Sequence, residues 1–224
     1  MSNITGGKLM GNRAIIKGKG QNLGVYVHWN GGIDSVTAFL EYCKLKRYRS
    51  PEVDTYGVAR LCQVIGNFFG GSDSVGIENV AKNISPEYVS RWGLNNGIYE
   101  VENWKIKAHW NPDLVTSERH EGYDLKEMLL KIDGSMPEDE QLGEDFILAE
   151  IIDSRSLKPG DKVYLPMFDG RYDVYTVVGI GKEEELCSAN VAGLPYVDLY
   201  DNRGDYSKNI NNYIRDEKIR KVGR

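Results

Sequence analysis

The sequence predicts an α+β fold: an N-terminal antiparallel sheet with three helices over residues 1–134, an acidic linker over 135–145, and a small β-barrel domain over 146–224. Three observations carry that prediction. Apolar residues recur at helical spacing in three segments of the first half. Short strand-type runs bounded by turn formers lie between those segments. From Phe146 onward five short strand-like runs follow one another with tight turns between them, the pattern of a small barrel.

Arg13 to Lys17 and Gly24 to Trp29 flank the turn-rich link Gly18-Lys19-Gly20-Gln21-Asn22-Leu23, which predicts an antiparallel hairpin. Val36, Phe39, Leu40 and Cys43 then fall at i, i+3, i+4 and i+7, so they share one helical face, with Asp34 as the expected N-cap. Pro51 separates this helix from a second. There Val58, Leu61, Cys62, Ile65 and Phe69 repeat the spacing, Val64 and Phe68 widen the apolar stripe, and Gly70-Gly71 ends the helix. A short strand is expected over Val75 to Ile77, and a helical turn opened by Ser85 over Pro86 to Trp92. Ile98 to Val101 and Trp104 to Trp110 flank Glu102-Asn103 as a tight hairpin. In its second arm Trp104, Ile106, Ala108 and Trp110 alternate with Lys105, Lys107 and His109, which predicts one buried and one cationic face. Leu125, Met128, Leu129 and Ile132 mark the third helix.

The stretch from Gly134 to Asp145 is polar and acidic enough for a linker. Beyond it, strands are expected over Phe146 to Ile152, Val163 to Phe168, Tyr172 to Ile180, Leu194 to Tyr200 and Lys218 to Val222, with one helical turn over Asn209 to Ile214. The segment LKPGDKVYLP, residues 157–166, resembles the opening of SH3-like folds, and that resemblance implies binding rather than catalysis.

Composition narrows the function classes. At 224 residues and 41% hydrophobic content the chain can bury a real core. No apolar run approaches a membrane span and the N-terminal residues lack the apolar stretch of a signal peptide, so the expected compartment is the host-cell cytoplasm, with no membrane partner. Cys43, Cys62 and Cys187 have no CxxC spacing and read as reduced core residues. The net charge of −5 is unevenly spread: residues 1–134 carry 16 Lys+Arg against 15 Asp+Glu, and residues 135–224 carry 12 against 18. Basic residues concentrate at Lys44, Lys46, Arg47 and Arg49, so an anionic ligand is expected at the N-terminal end. The alternative is that these cations only complement the end of the first helix.

The candidate chemistry centres on the sequence VYVHWNGGIDSVTAFLEY, residues 25–42. Asn30-Gly31-Gly32-Ile33-Asp34-Ser35 follows an expected strand and opens an expected helix, and it resembles the PP-loop of the ATP pyrophosphatase families. In that setting glycines let backbone amides approach an anion, a helix start presents unpaired N–H groups, and Ser35 adds a hydroxyl. Gly31, Gly32, Asp34 and Ser35 match the family's positions, whereas Asn30 stands in place of its first serine. The family uses a parallel sheet, and here a hairpin precedes the turn and a second helix follows without an intervening strand. His-Trp-Asn occurs twice, at His28 to Asn30 and at His109 to Asn111. If the two strands are neighbours, His28, Trp29, His109 and Trp110 form a stacking platform along one edge. The three histidines have no metal-ligand spacing, and no nucleophile elbow or paired carboxylates stand in a recognisable frame. No metal, no cofactor and no catalytic residue is assigned.

Residues 11–71, GNRAIIKGKGQNLGVYVHWNGGIDSVTAFLEYCKLKRYRSPEVDTYGVARLCQVIGNFFGG, resemble a group of uncharacterised proteins encoded by Gram-positive bacteria, their prophages and other mobile elements. The resemblance implies a mobile-element accessory role, one in which proteins that blunt host defence are common. The expectation is a non-catalytic anti-defence protein that binds an anionic ligand such as a nucleotide signal, or a host defence protein. Two alternatives stand beside it: a nucleotide-using enzyme built on the PP-loop-like turn, and an inhibitor whose acidic second domain mimics nucleic acid and docks on a host nucleoprotein. Direct nucleic-acid binding is not expected, since the C-terminal basic residues sit in a domain of net charge −6.

Overall fold

The computed structural model describes residues 11–71, 74–81, 84–111, 122–167, 170–181, 196–201 and 218–223. The chain divides into two compact units, 1–141 and 142–224.

The first unit is built on a five-stranded sheet of order β3-β2-β1-β4-β5, from β1 (Ala14–Gly18), β2 (Leu23–Val27), β3 (Val75–Asn79), β4 (Ile98–Glu102) and β5 (Lys105–Trp110). Every neighbouring pair is antiparallel except β1 and β4, which run parallel. The expected antiparallel sheet is therefore mixed, because β1 takes a long-range partner that no local pattern announces. Register then sorts the side chains by face. Ile15 sits opposite Tyr26 and Ile98, and Ile98 opposite Trp110, so these four share one face. Ile15 and Ile98 pack there with Val89, Leu94 and Val80. Ile16 sits opposite Val25 and Tyr99, and Tyr99 opposite His109, which places these on the other face.

α1 (Ile33–Leu45) and α2 (Thr55–Phe68) pack against each other, α2 lies on β2 and β3, and α1 reaches β5. Their buried residues include Val36, Phe39, Leu40 and Cys43 of α1 and Val58, Leu61 and Ile65 of α2, the stripes that the spacing predicts. α4 (Leu125–Asp133) packs on α1, where the Tyr42 hydroxyl donates to the Asp133 carboxylate at 2.7 Å within the core. α3 (Pro86–Arg91) supplies Val89 to the opposite face of the sheet. α2, α3 and α4 each start on a side-chain cap, from Asp54, Ser85 and Asp124 respectively. α1 does not: its N-cap is Gly32, with no side-chain bond, and the expected cap Asp34 is instead a buried residue of the first turn.

The segment expected as a linker is structured. Met136 is buried beside Asn67 of α2, residues 138–140 form a 3-10 turn, and the Lys46 ammonium donates to the Glu140 carbonyl. Residues 135–141 therefore belong to the first unit, held by an apolar anchor that a polar composition conceals.

The second unit opens with α5 (Glu144–Leu148) where a strand is expected, followed by β6 (Glu150–Asp153). An apolar run too short to distinguish strand from helix explains the difference; Phe146 turns inward and its ring meets Tyr164 at 5.3 Å and Tyr172 at 4.1 Å. With β7 (Lys162–Pro166), β8 (Tyr172–Gly181), β9 (Tyr196–Asp201) and β10 (Lys218–Lys221), β6 forms an antiparallel sheet of order β6-β10-β7-β8-β9. Its core is Leu157, Val163, Tyr175, Val177 and Ile219. The order has two ends, β6 and β9, and no ladder among the described residues joins them. The expected turn over Asn209 to Ile214 and Cys187 lie outside the described residues.

Candidate functional site

The Asn30–Ser35 turn begins where β2 ends. Asn30 adopts a left-handed backbone conformation, φ 55°, which asparagine tolerates better than most residues. Its side-chain Nδ2 donates to the Ser35 hydroxyl at 3.3 Å. Gly31 donates its amide to the Asn12 carbonyl at 2.7 Å, and a Cβ at this position would lie 2.5 Å from that same oxygen. Gly31 is thus a glycine because β1 passes too close for any side chain, and its amide is already spent. A Cβ on Gly32 would meet only ordinary contacts, Asn12 Oδ1 at 3.7 Å and Asn96 Oδ1 at 4.0 Å. Asn96 Nδ2 donates to Asn12 Oδ1 at 2.5 Å, so two carboxamides bracket the start of α1.

Asp34 is 5% exposed and sits in the first helical turn, where a carboxylate answers the positive end of the helix dipole. Tyr123 donates its hydroxyl to the Asp34 carbonyl at 2.7 Å. The Tyr99 hydroxyl is buried without a hydrogen-bond partner, and its pKa is pushed up by burial and, secondarily, by the charge of Asp34. A carboxylate in the turn opposes an entering anion, and the neighbouring strands remove the pyrophosphatase frame: both ladder partners of β2, namely β1 and β3, are antiparallel to it.

The basic cluster is elsewhere. α1 has 13 residues, so its two ends are separated by about 20 Å, and Lys44, Lys46, Arg47 and Arg49 stand at the end remote from the glycine turn. Lys44, Lys46 and Arg49 have local partners. Lys44 pairs with Glu41 at 3.4 Å, and Arg49 pairs with Asp54 at 2.6 Å and lies 4.7 Å above the Tyr56 ring. Lys46, 7% exposed, caps the 135–141 segment through the Glu140 carbonyl, and Arg47 takes φ 56° just after the helix ends. The sequence places glycines and cations twelve to eighteen residues apart, and a helix in between holds them apart in space.

The two His-Trp-Asn repeats end at the same edge of the sheet, because β2 and β5 run in the same direction, but β1 and β4 lie between them. Three strand spacings separate them by roughly 14 Å. They also differ in face: His28 follows Tyr26 in alternation, while His109 pairs with Tyr99 on the α1 side. The expected joint platform of His28, Trp29, His109 and Trp110 is therefore not formed. His109 stacks on Tyr99 at 4.0 Å and 11°, and its Nε2 meets the Asn96 carbonyl at 2.5 Å. Burial lowers its pKa below the usual histidine range, against the opposing effect of that carbonyl. Trp110 packs on the apolar cluster under α3. His28 shares a hydrogen bond with the Tyr26 hydroxyl at 3.1 Å and meets Trp29 edge-on at 4.8 Å. Trp29 is 43% exposed.

What remains at this end of the sheet is an exposed indole that precedes Asn30 in sequence, a glycine turn lined by Asn12, Asn96 and Ser35, and Arg13 opposite His28 by extension of the β1/β2 register. Arg13 Nε is buried without a hydrogen-bond partner. Asn12, Arg13, Asn96 and Tyr99 escape sequence reasoning: Asn95-Asn96-Gly97 reads as turn chemistry, and only the parallel β1/β4 ladder carries it to the glycine turn. His28 bonds the Tyr26 phenol and His109 the Asn96 carbonyl, and burial raises the Cys43 thiol well above its ordinary range. Among the described residues no group of three His, Cys, Asp or Glu could hold a metal ion, and no helix is long and apolar enough to cross a membrane. No family model matches the chain, and neither a curated protein nor a solved structure matches it.

Proposed function

We propose that this chain is a non-catalytic binding protein that takes a nucleotide-like ligand at the Trp29 end of the first sheet. The observation that carries the reading is the exposed Trp29 ring at the end of β2, followed directly by Asn30 and by the glycine turn against which the bonded Asn12 and Asn96 carboxamides lie, at the start of α1, which has no side-chain cap. Indoles stack on nucleobases and carboxamides match base edges, while Arg13 supplies a positive charge on a side of the sheet end away from the opposing Asp34 carboxylate, opposite His28. The displacement of Lys44, Lys46, Arg47 and Arg49 to the far end of α1 shifts the weight from charge to stacking. Within that reading the protein acts in the host cytoplasm as an accessory of a phage or mobile element, sequestering a nucleotide signal and so blunting defence. The second unit is read as an SH3-like module, supported by the antiparallel pairing of its first strand β6 with its last strand β10 and by the tight Lys158–Asp161 turn.

The test is a thermal-shift and tryptophan-fluorescence screen against mononucleotides and cyclic di- and trinucleotides. A ligand at a hundred times its dissociation constant adds about 2.7 kcal/mol and moves the midpoint by several degrees. The expected result is a shift with quenching in the wild type, and neither in Trp29→Ala. A shift that survives Trp29→Ala, or no shift with any nucleotide, overturns the proposal.

A further inference from the structure

The outer edge of β3 carries a second, independent feature. β3 is an end strand of the first sheet. Its inner edge is fixed by the β2 register: His28 donates to the Ser74 carbonyl at 2.8 Å and Val80 to the Asn22 carbonyl at 2.6 Å, so Gly76 and Glu78, which share that parity, face β2 with their backbone groups. By the alternation of an antiparallel ladder, the backbone N–H and C=O groups of Val75, Ile77 and Asn79 point outward. Natural edges of this kind are blunted by lysine, proline or a bulge. The β2/β3 register runs without a shift from Leu23 opposite Asn79 to Val27 opposite Val75, and β3 holds neither lysine nor proline. Its side chains add apolar surface: Ile77 is 49% exposed, and Leu23, diagonal to it on the same face, is 38% exposed.

We propose that β3 is a self-association edge, pairing antiparallel with β3 of a second copy of this chain about a two-fold axis through Ile77. The sequence of the strand is complementary to itself in that register. Ile77 meets its own counterpart as a hydrogen-bonded pair, Val75 meets Asn79 twice, and about six backbone hydrogen bonds form, which uses every outward group. The strand's one charge does not meet its copy: Glu78 falls opposite Gly76, whose missing side chain leaves only Tyr26 nearby, at 3.8 Å from a Cβ position. A like-charge clash is thereby avoided, and the isologous contact closes on itself as a dimer rather than a fibre.

Light scattering on the eluting full-length protein across a concentration series, together with Ile77→Lys and Ile77→Cys, tests this. The expected result has three parts. The wild-type mass doubles as concentration rises, Ile77→Lys stays monomeric with an unchanged far-ultraviolet spectrum, and Ile77→Cys gives a reducible dimer under mild oxidation that wild type and Val53→Cys do not give. A wild type that remains monomeric throughout, with no cross-link in Ile77→Cys, overturns the proposal, as does a dimer that Ile77→Lys leaves intact. If Ile77→Lys fails to fold, the cross-linking arm decides.

Discussion

Gly31 and Gly32 are adjacent and chemically identical, yet they do different work. At Gly31 an added methyl meets the Asn12 carbonyl at 2.5 Å and Ala14 Cβ at 2.8 Å, so backbone must move. Gly31→Ala is expected to cost about 1–3 kcal/mol, the range for forcing volume into packed structure. Gly32→Ala, at φ −65° with no contact under 3.7 Å, is expected to leave stability within about 0.5 kcal/mol. Urea unfolding of the two variants checks both, and equal costs would refute the packing account. His109 supplies a second residue-level expectation. Its folded-state pKa is depressed by burial, so below the ordinary histidine pKa of about 6.5 the unfolded chain binds a proton that the folded chain refuses. Stability is therefore expected to be complete above that pH and to fall as pH drops from 7 toward 5, by at most roughly 1.4 kcal/mol per pH unit from this group. In His109→Phe, which keeps a ring against Tyr99, the slope over this window is expected to be shallower than in the wild type.

Elements are joined by interactions that their own sequences do not announce. Lys17 of β1 and Glu100 of β4 are direct partners in the parallel ladder and form an ion pair at 2.6 Å, with Lys17 3% and Glu100 18% exposed. Removing one partner of such a pair strands the other's charge, and the loss is about 3 kcal/mol. Glu100→Gln is expected to destabilise more than Lys17→Met, because the ammonium left behind is the more deeply buried. The double variant is expected to cost less than the sum of the two, and a double-mutant cycle by denaturant titration measures the difference. Helices α1, α2 and α4 were legible because their apolar residues recur locally. The β4/β5 hairpin was legible only in part: its turn residues are Asn103 and Trp104, both with positive φ, one position later than expected. A primed turn there matches the twist of the strands, and Trp104 is held by the Tyr48 carbonyl at 2.8 Å, a contact 56 residues away in sequence.

On the scale of the whole molecule, composition placed the end of the first domain at residue 134, and packing places it at 141. Five polar residues among the seven of 135–141 are enough to hide one buried methionine. A chain ending at Gly134 is expected to melt several degrees below one ending at Gln141, since it loses the Met136 anchor and leaves the 7%-exposed Lys46 without the Glu140 carbonyl. Losing a buried methionine alone costs about 2–5 kcal/mol. Equal midpoints would mean that the segment adds nothing to the unit.

The sequence by itself determined the α+β class, the three main helices, the strand-rich second half and the strand-turn-helix at residues 25–42, because each follows from periodicity, capping or turn chemistry within about fifteen residues. Only the tertiary structure decided what surrounds that turn. The parallel pairing of β1 with β4 brought Asn96 to Gly32, put β1 and β4 between the two His-Trp-Asn repeats and set their histidines on opposite faces. The rigid length of α1 carried the basic cluster away. Local preferences fix which element forms, whereas the neighbours of an element are fixed by which buried faces fit together, and that choice is made over separations of eighty residues or more.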